Sequence, residues 1–240
     1  MKKGEKVALS KRLHALADMV TPGNTVADVG CDHGFLSIYL VQNHVSPRVL
    51  AMDVRSGPLL AATTHVQEYG LTEYISTRLS DGIQKMEIGE CETLVIAGMG
   101  GRLMTRILSE DVKKTGSFRE MILQPQSEIP QFRKFLRESG YAIVDENMIY
   151  EDGKYYPMMK VLPGGCVPGR EEANPVYDAY GKLLIERKHP VLREFLLFRK
   201  KQLQQIEEAL IQTPGDKAMK RLQDIRQELE LVKEALREVS

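Results

Sequence analysis

Apolar residues fall in short unbroken runs along the first two-thirds of the chain and switch to a three-and-four spacing beyond it. Runs such as Leu94-Val95-Ile96-Ala97 lack polar alternation, the pattern of strands buried on both faces of a helix-covered parallel sheet. They predict strands over 25–30, 48–54, 74–79, 93–97 and 120–124, with helices near 35–43, 57–69, 101–109 and 128–139 between them. Val7, Leu9, Leu13, Leu16 and Met19 predict an earlier helix over 5–20, stopped by Thr21-Pro22-Gly23-Asn24. Two further runs, 141–149 and 155–162, flank Asp152-Gly153, a hairpin signal, so the sheet should end in an antiparallel pair.

Pro163 to Gly169 breaks the composition and reads as a linker. Beyond it, Leu192, Leu196, Leu203, Ile206 and Leu210 lie near a heptad seam that Arg199 interrupts. After the turn residues Thr213 to Asp216, Leu222, Ile225, Leu229, Val232, Leu236 and Val239 step by three and four. This spacing predicts an antiparallel helical hairpin with coiled-coil packing. Two domains are expected, 1–165 and 170–240.

The bulk numbers narrow the class. With 42% hydrophobic and 28% charged residues, the chain has the composition of a soluble globular protein. Its formal net charge of zero announces no nucleic-acid partner by itself. Three scattered cysteines, Cys31, Cys91 and Cys166, fit a reducing cytoplasm better than a disulfide framework, and none pair at metal-ligand spacing. The N-terminus lacks the apolar core of a signal peptide, and no run is long enough to span a membrane. A cytoplasmic protein is expected.

Chemistry concentrates at the strand tips. The run V-A-D-V-G-C-D-H-G leads from a strand through Gly30 and Gly34 into a helix, a turn that lets backbone N–H groups approach a nucleoside cofactor. The next strand ends in Asp53, placed to accept hydrogen bonds from both ribose hydroxyls. The third leads into Ser80-Asp81-Gly82, where a carboxylate can meet an adenine amino group. A dinucleotide would need a third glycine where Asp32 and His33 stand, and Asp32 would repel a pyrophosphate. The ammonium and sulfonium of S-adenosylmethionine instead suit Asp28 and Asp32. The expected cofactor site is therefore Asp28, Gly30, Asp32, His33, Gly34, Asp53, Asp81, Gly82 and Gly98. The fourth strand ends in Ala97-Gly98-Met99-Gly100-Gly101, without the Asn/Asp-Pro-Pro-aromatic turn of many amino-methylating enzymes. Its glycines either admit a flat base or merely form a tight turn.

The sequence D-V-G-C-D-H-G, Met52-Asp53, S-D-G, I-A-G-M-G-G and I-L-Q-P-Q, followed by a helical hairpin, resembles the bacterial TrmK family over nearly the whole chain. These are tRNA (adenine-N1)-methyltransferases acting at adenine 22. The resemblance implies a class I Rossmann-like methyltransferase domain of α/β type, with the hairpin helping to hold tRNA. It also places Gln126 where many relatives carry Asn.

Methylation of adenine N1 uses a lone pair in the base plane, so direct in-line transfer needs neither a covalent intermediate nor a metal; positioning is the main requirement. Asp28, His33 and Gln124 are the candidate catalytic residues. Gln126 could also contact the base, and Tyr155 and Tyr156 could stack on it or pack in the core. For RNA contact the candidates are Lys11, Arg12, Arg102, Arg106, Lys188, Arg193 and Arg199. Up to Val20 there are five basic residues, including Lys2 and Lys3, against two acidic ones; between Gly181 and Lys201 there are seven against two. Such stripes bind phosphate or are simply solvated helix faces. A methyltransferase of this fold acting on a small molecule or protein, and a non-catalytic binder of S-adenosylmethionine, remain open, as does the choice between monomer and homodimer.

Overall fold

A computed structural model describes residues 4–164, 173–213 and 215–239. Lys2, Lys3, Cys166, Pro214 and the linker beyond Gly164 lie outside the described residues. The chain divides into two compact units, Met1–Glu171 and Glu172–Ser240. No described helix is long and apolar enough to cross a membrane.

The first unit is built on a seven-stranded sheet. In chain order its elements are α1 (Lys11–Met19), β1 (Val26–Val29), α2 (Phe35–Gln42), β2 (Val49–Asp53), α3 (Ser56–Glu68), β3 (Ile75–Leu79) and β4 (Thr93–Gly100). There follow α4 (Gly101–Glu110), the short α5 (Val112–Thr115), β5 (Glu120–Ser127), α6 (Ile129–Glu138), β6 (Ala142–Glu151) and β7 (Lys154–Leu162). The strand order is β3-β2-β1-β4-β5-β7-β6. The first five are parallel, and β7 runs antiparallel to both β5 and β6.

Successive strand residues point to opposite faces. Val26, Val49, Ala51, Val95, Ile122 and Met158 therefore share one core with α1, α2 and α3. Ala27, Leu50, Met52, Leu94, Ile96, Met121 and Leu123 share the other with α4 and α6. By the same parity Asp28, Gln124 and Tyr156 belong to the α1 face. All four residues of β1 are buried, which explains its unbroken apolar pattern apart from Asp28.

Several boundaries differ from the sequence reading, two of them near the strand tips or the first helix. The first helix begins at Lys11, not residue 5, because Ser10 caps it: its Oγ accepts from the Leu13 N–H at 3.3 Å. The preceding segment is held by Gln42, which accepts from the Val7 N–H at 2.9 Å and donates to the Glu5 carbonyl at 2.8 Å. β4 continues through Met99 and Gly100, which pair with Pro125 and Ser127 across register shifts. The glycine-rich stretch is thus largely strand, and Pro125, which has no N–H, sits at that irregularity.

The second unit contains α7 (Pro175–Tyr180), α8 (Lys182–Glu186), α9 (Pro190–Ile211) and α10 (Asp216–Val239). The two long helices pack along Leu192, Leu196 and Leu203 against Ile225, Leu229, Val232 and Val239, all buried. Arg199 interrupts the seam because it meets Glu228 across it, with Nε and Nη2 both 2.7 Å from Glu228 Oε1.

Candidate active site

The five parallel strands deliver their C-terminal tips to one edge of the sheet, where a cleft of about 480 Å³ opens. Such an edge is where open α/β sheets bind ligands. The loop after β1 forms its floor. Gly30 and Cys31 donate their N–H groups to the Met52 carbonyl at 2.8 and 2.9 Å, tying the loop to β2. Gly30 has φ 77°, and a Cβ there would lie 2.4 Å from the Met99 methyl carbon. Gly34, with φ 74°, instead admits close packing of α3: a Cβ would lie 3.1 Å from that of Ala62.

Four carboxylates line the cleft: Asp28, Asp32, Asp53 and Asp81. Asp28 is buried and accepts a hydrogen bond from Ser37 Oγ at 2.7 Å. Burial pushes its carboxyl up to about 6; the Ser37 bond opposes the rise, and the negative charge of Asp53 adds to it. Asp53, also buried, accepts from the Arg55 N–H at 2.8 Å. Asp32 is exposed at the lip, its Oδ2 3.8 Å from His33 Nε2. Asp81 is held by both terminal nitrogens of Arg106, at 2.8 and 3.0 Å, and these bonds lower its carboxyl below the usual range. Cys31 also lines the cleft, but burial, Asp28 and Asp53 push its thiol up, so it is no ready nucleophile.

The His33 loop is braced by rings. Phe35 stacks on His65 with centroids 4.8 Å apart, and His65 Nδ1 lies 2.9 Å from the His33 carbonyl oxygen, to which it donates. The His33 ring itself lies 5.9 Å from that of Phe35 and remains half exposed.

The sequence-selected residues divide in the structure. Of the cofactor candidates, Asp28, Gly30, Asp32, His33, Asp53, Asp81, Gly82 and Gly98 line the cleft; Gly34 lies behind it against α3. Gln124 does not reach the cleft surface. It is wholly buried, accepting from Arg12 Nη1 at 3.1 Å and donating to the Pro125 carbonyl at 3.1 Å. The hydrogen bond ties it to Arg12, which does line the cleft together with Gln126. Arg106 is occupied by Asp81 and Glu110, Arg102 meets Glu128 at 2.6 Å, and Arg199 is committed to Glu228. Lys11, Lys188 and Arg193 are exposed. Sequence reasoning missed the apolar lining from Val54, Leu103 and Ile107. Val54, 60% exposed immediately after Asp53, carried the one available signal: a strand-like run continuing past its buried end.

Clustered acids, an apolar wall and a glycine turn after β1 suit an adenosyl group bearing positive charge. The fold and cleft define a Rossmann-like methyltransferase, and a methyltransferase-domain family model matches residues 9–159. The chain is 31% identical to the tRNA (adenine(22)-N(1))-methyltransferase of Bacillus subtilis, covering 96% of this chain and 98% of that protein. It belongs to that family of bacterial tRNA methyltransferases. Among solved structures, Streptococcus pneumoniae Sp1610 in complex with S-adenosyl-L-methionine matches with a TM-score of 0.83 at 31% identity, covering 95% of this chain and all of that one. The B. subtilis TrmK crystal structure matches with a TM-score of 0.83 at 30% identity, covering 96% and 99%.

Proposed function

We propose that this protein methylates N1 of an adenine in tRNA, adenine 22 by likeness to its B. subtilis relative, using S-adenosylmethionine. The observation that carries the reading is the cleft itself: four carboxylates around an apolar-walled space at the parallel strand tips. In it Asp53 would take the ribose hydroxyls, Asp81 the adenine amino group, and Asp28 and Asp32 the positive charges of the methionine part. When bound, the cofactor supplies a methyl group activated on a sulfonium sulfur.

What the chain supplies is position and field. The Gly30 turn leaves backbone room beside the donor, and the glycine at 98 leaves room beside the incoming base. Gln126 stands at that point: its Nε2 would lie 3.5 Å from a Cβ at Gly98. A glutamine amide can read the amino edge of adenine. The methylated base becomes positively charged, and the acidic lining stabilises charge that develops there. The target base must leave its stack to reach the cleft, at a cost of a few kcal/mol. Lys11, Lys188 and Arg193 are assigned to the RNA backbone, joined by Arg102, whose ion pair with Glu128 leaves its side chain 90% exposed, with the helical hairpin unit sharing in tRNA binding. With tRNA as substrate, the expected compartment is the cytoplasm.

Incubation with unmodified tRNA and labelled donor, followed by nucleoside analysis, tests the reading. Label in 1-methyladenosine is expected. Label in another nucleoside, or none with a donor-binding protein, would overturn it. Charge reversal at Lys188 and Arg193 should weaken tRNA binding and flatten its salt dependence; unchanged binding would remove the hairpin from the RNA surface.

A further inference from the structure

The cleft holds more negative than positive charge, yet the methyl donor is not purely cationic. Beside its sulfonium and ammonium it carries an α-carboxylate. A wall of carboxylates would repel that group, so something in the cleft must receive it. Two arginines line the cleft, Arg12 and Arg55. Arg55 lies 3.7 Å from Asp53, an ion pair at the ribose end. Arg12 makes no ion pair among the described residues; its polar partner is the neutral amide of Gln124, at 3.1 Å.

Arg12 is also built into place. Its backbone N–H donates to Glu151 Oε2 at 3.3 Å, and that of Lys11 to Glu151 Oε1 at 2.6 Å, which pins the first turn of α1 to the end of β6. Its guanidinium lies over the Tyr156 ring, 5.4 Å from the centroid. The Gln124 amide beneath is buried, and because its Nε2 donates to the Pro125 carbonyl, its oxygen is turned toward Arg12. A Cβ at Gly98 would lie 3.8 Å from Arg12 Nη1, so the guanidinium borders the tip of β4 across from the Asp28 turn. With one N–H used by Gln124, four remain to meet a carboxylate in the planar fork geometry that arginine favours.

We propose that Arg12, held by Gln124, Tyr156 and the Glu151-pinned start of α1, binds the α-carboxylate of the methyl donor. The assignment rests on the donor-site reading above and gives Arg12 a task distinct from the RNA-phosphate contact suggested by the basic N-terminal stripe.

Calorimetry with S-adenosylhomocysteine and its decarboxylated analogue, S-adenosyl-3-thiopropylamine, tests it on the full chain and on Arg12→Met, which keeps an unbranched stem for Tyr156. A charge-assisted hydrogen-bond pair predicts that the unaltered protein prefers the carboxylated ligand by about tenfold to a hundredfold. Arg12→Met should lose that preference while retaining its affinity for the decarboxylated ligand, and Arg12→Lys should keep part of it. Equal weakening toward both ligands would show that Arg12 only shapes the wall and would overturn the assignment. So would unchanged affinity for S-adenosylhomocysteine combined with weaker, less salt-dependent tRNA binding, which would give the guanidinium to an RNA phosphate. Failure of the unaltered protein to bind S-adenosylhomocysteine would overturn the donor site itself, and this assignment with it.

Discussion

Replacing Asp28 with asparagine should strengthen the empty protein and weaken its hold on the methyl donor. Burial raises the carboxyl of Asp28 from an ordinary 3.8 to about 6, with Asp53 adding to the rise. The folded chain therefore binds this proton more tightly than the unfolded chain does. Stability falls as pH rises between about 4 and 6, and the whole penalty is present above about pH 7. Two pKa units correspond to about 3 kcal/mol. Asparagine carries no such charge and still offers an oxygen to Ser37 Oγ, now 2.7 Å from Asp28 Oδ2. Thermal unfolding of donor-free protein should show Asp28→Asn melting higher at pH 8, by up to about 10 °C for a protein of this size. The gap should close toward pH 4. Donor binding runs the other way, because a cationic ligand selects the ionised carboxylate. Affinity of the unaltered protein should drop about tenfold from pH 7 to pH 5, whereas the variant should bind weakly at both. An asparagine variant that melts lower at pH 8, or a stability difference that ignores pH, would refute the argument that Asp28 is a buried charge kept for its ligand.

Three further outcomes follow from particular contacts. Asp53→Ala should weaken S-adenosylhomocysteine binding measured by calorimetry by about tenfold or more, the scale of losing hydrogen bonds to a charged group; unaltered binding would take Asp53 out of the site. Gly101→Ala would set a methyl group 2.8 Å from the Ser127 carbonyl oxygen and 3.0 Å from that of Glu128. Both oxygens are backbone atoms of one turn and cannot yield cheaply, so denaturant titration should show a loss of about 1–3 kcal/mol, and a neutral result would mean that the β5–α6 turn moves freely. Glu146→Ala would strip Arg133 of a carboxylate 2.9 Å away in a pair only 3% and 1% exposed. The expected loss of stability is about 3–5 kcal/mol, and a change below 1 kcal/mol would show that water or another group replaces the partner.

Much of this architecture is legible along the chain. The parallel strands announce themselves because both faces are buried, so residues such as Leu94 to Ile96 need no polar alternation. The acidic rim is legible for a related reason: parallel strands end at one edge, so a carboxylate at each strand tip lands beside the others. The long helices of the second unit show their seam by repetition, and even its break at Arg199 is visible in the spacing. α7 and α8, of six and five residues, are too short for a period to show.

Local pattern, then, fixed strand order of appearance, the hairpin at Asp152-Gly153, and which acids would gather, since each of these depends on residues near one another in the chain. Contacts between residues distant along the chain settled the rest. Glu151 anchors Lys11 and Arg12, and Gln124 disappears under Arg12 although its neighbour Gln126 stays exposed. Asp81 and Arg106, 25 positions apart, become partners only because α4 packs against the loop that follows β3. A charge on the sequence reveals its sign; its partner, its burial and hence its proton affinity are set by where the fold brings the chain back upon itself.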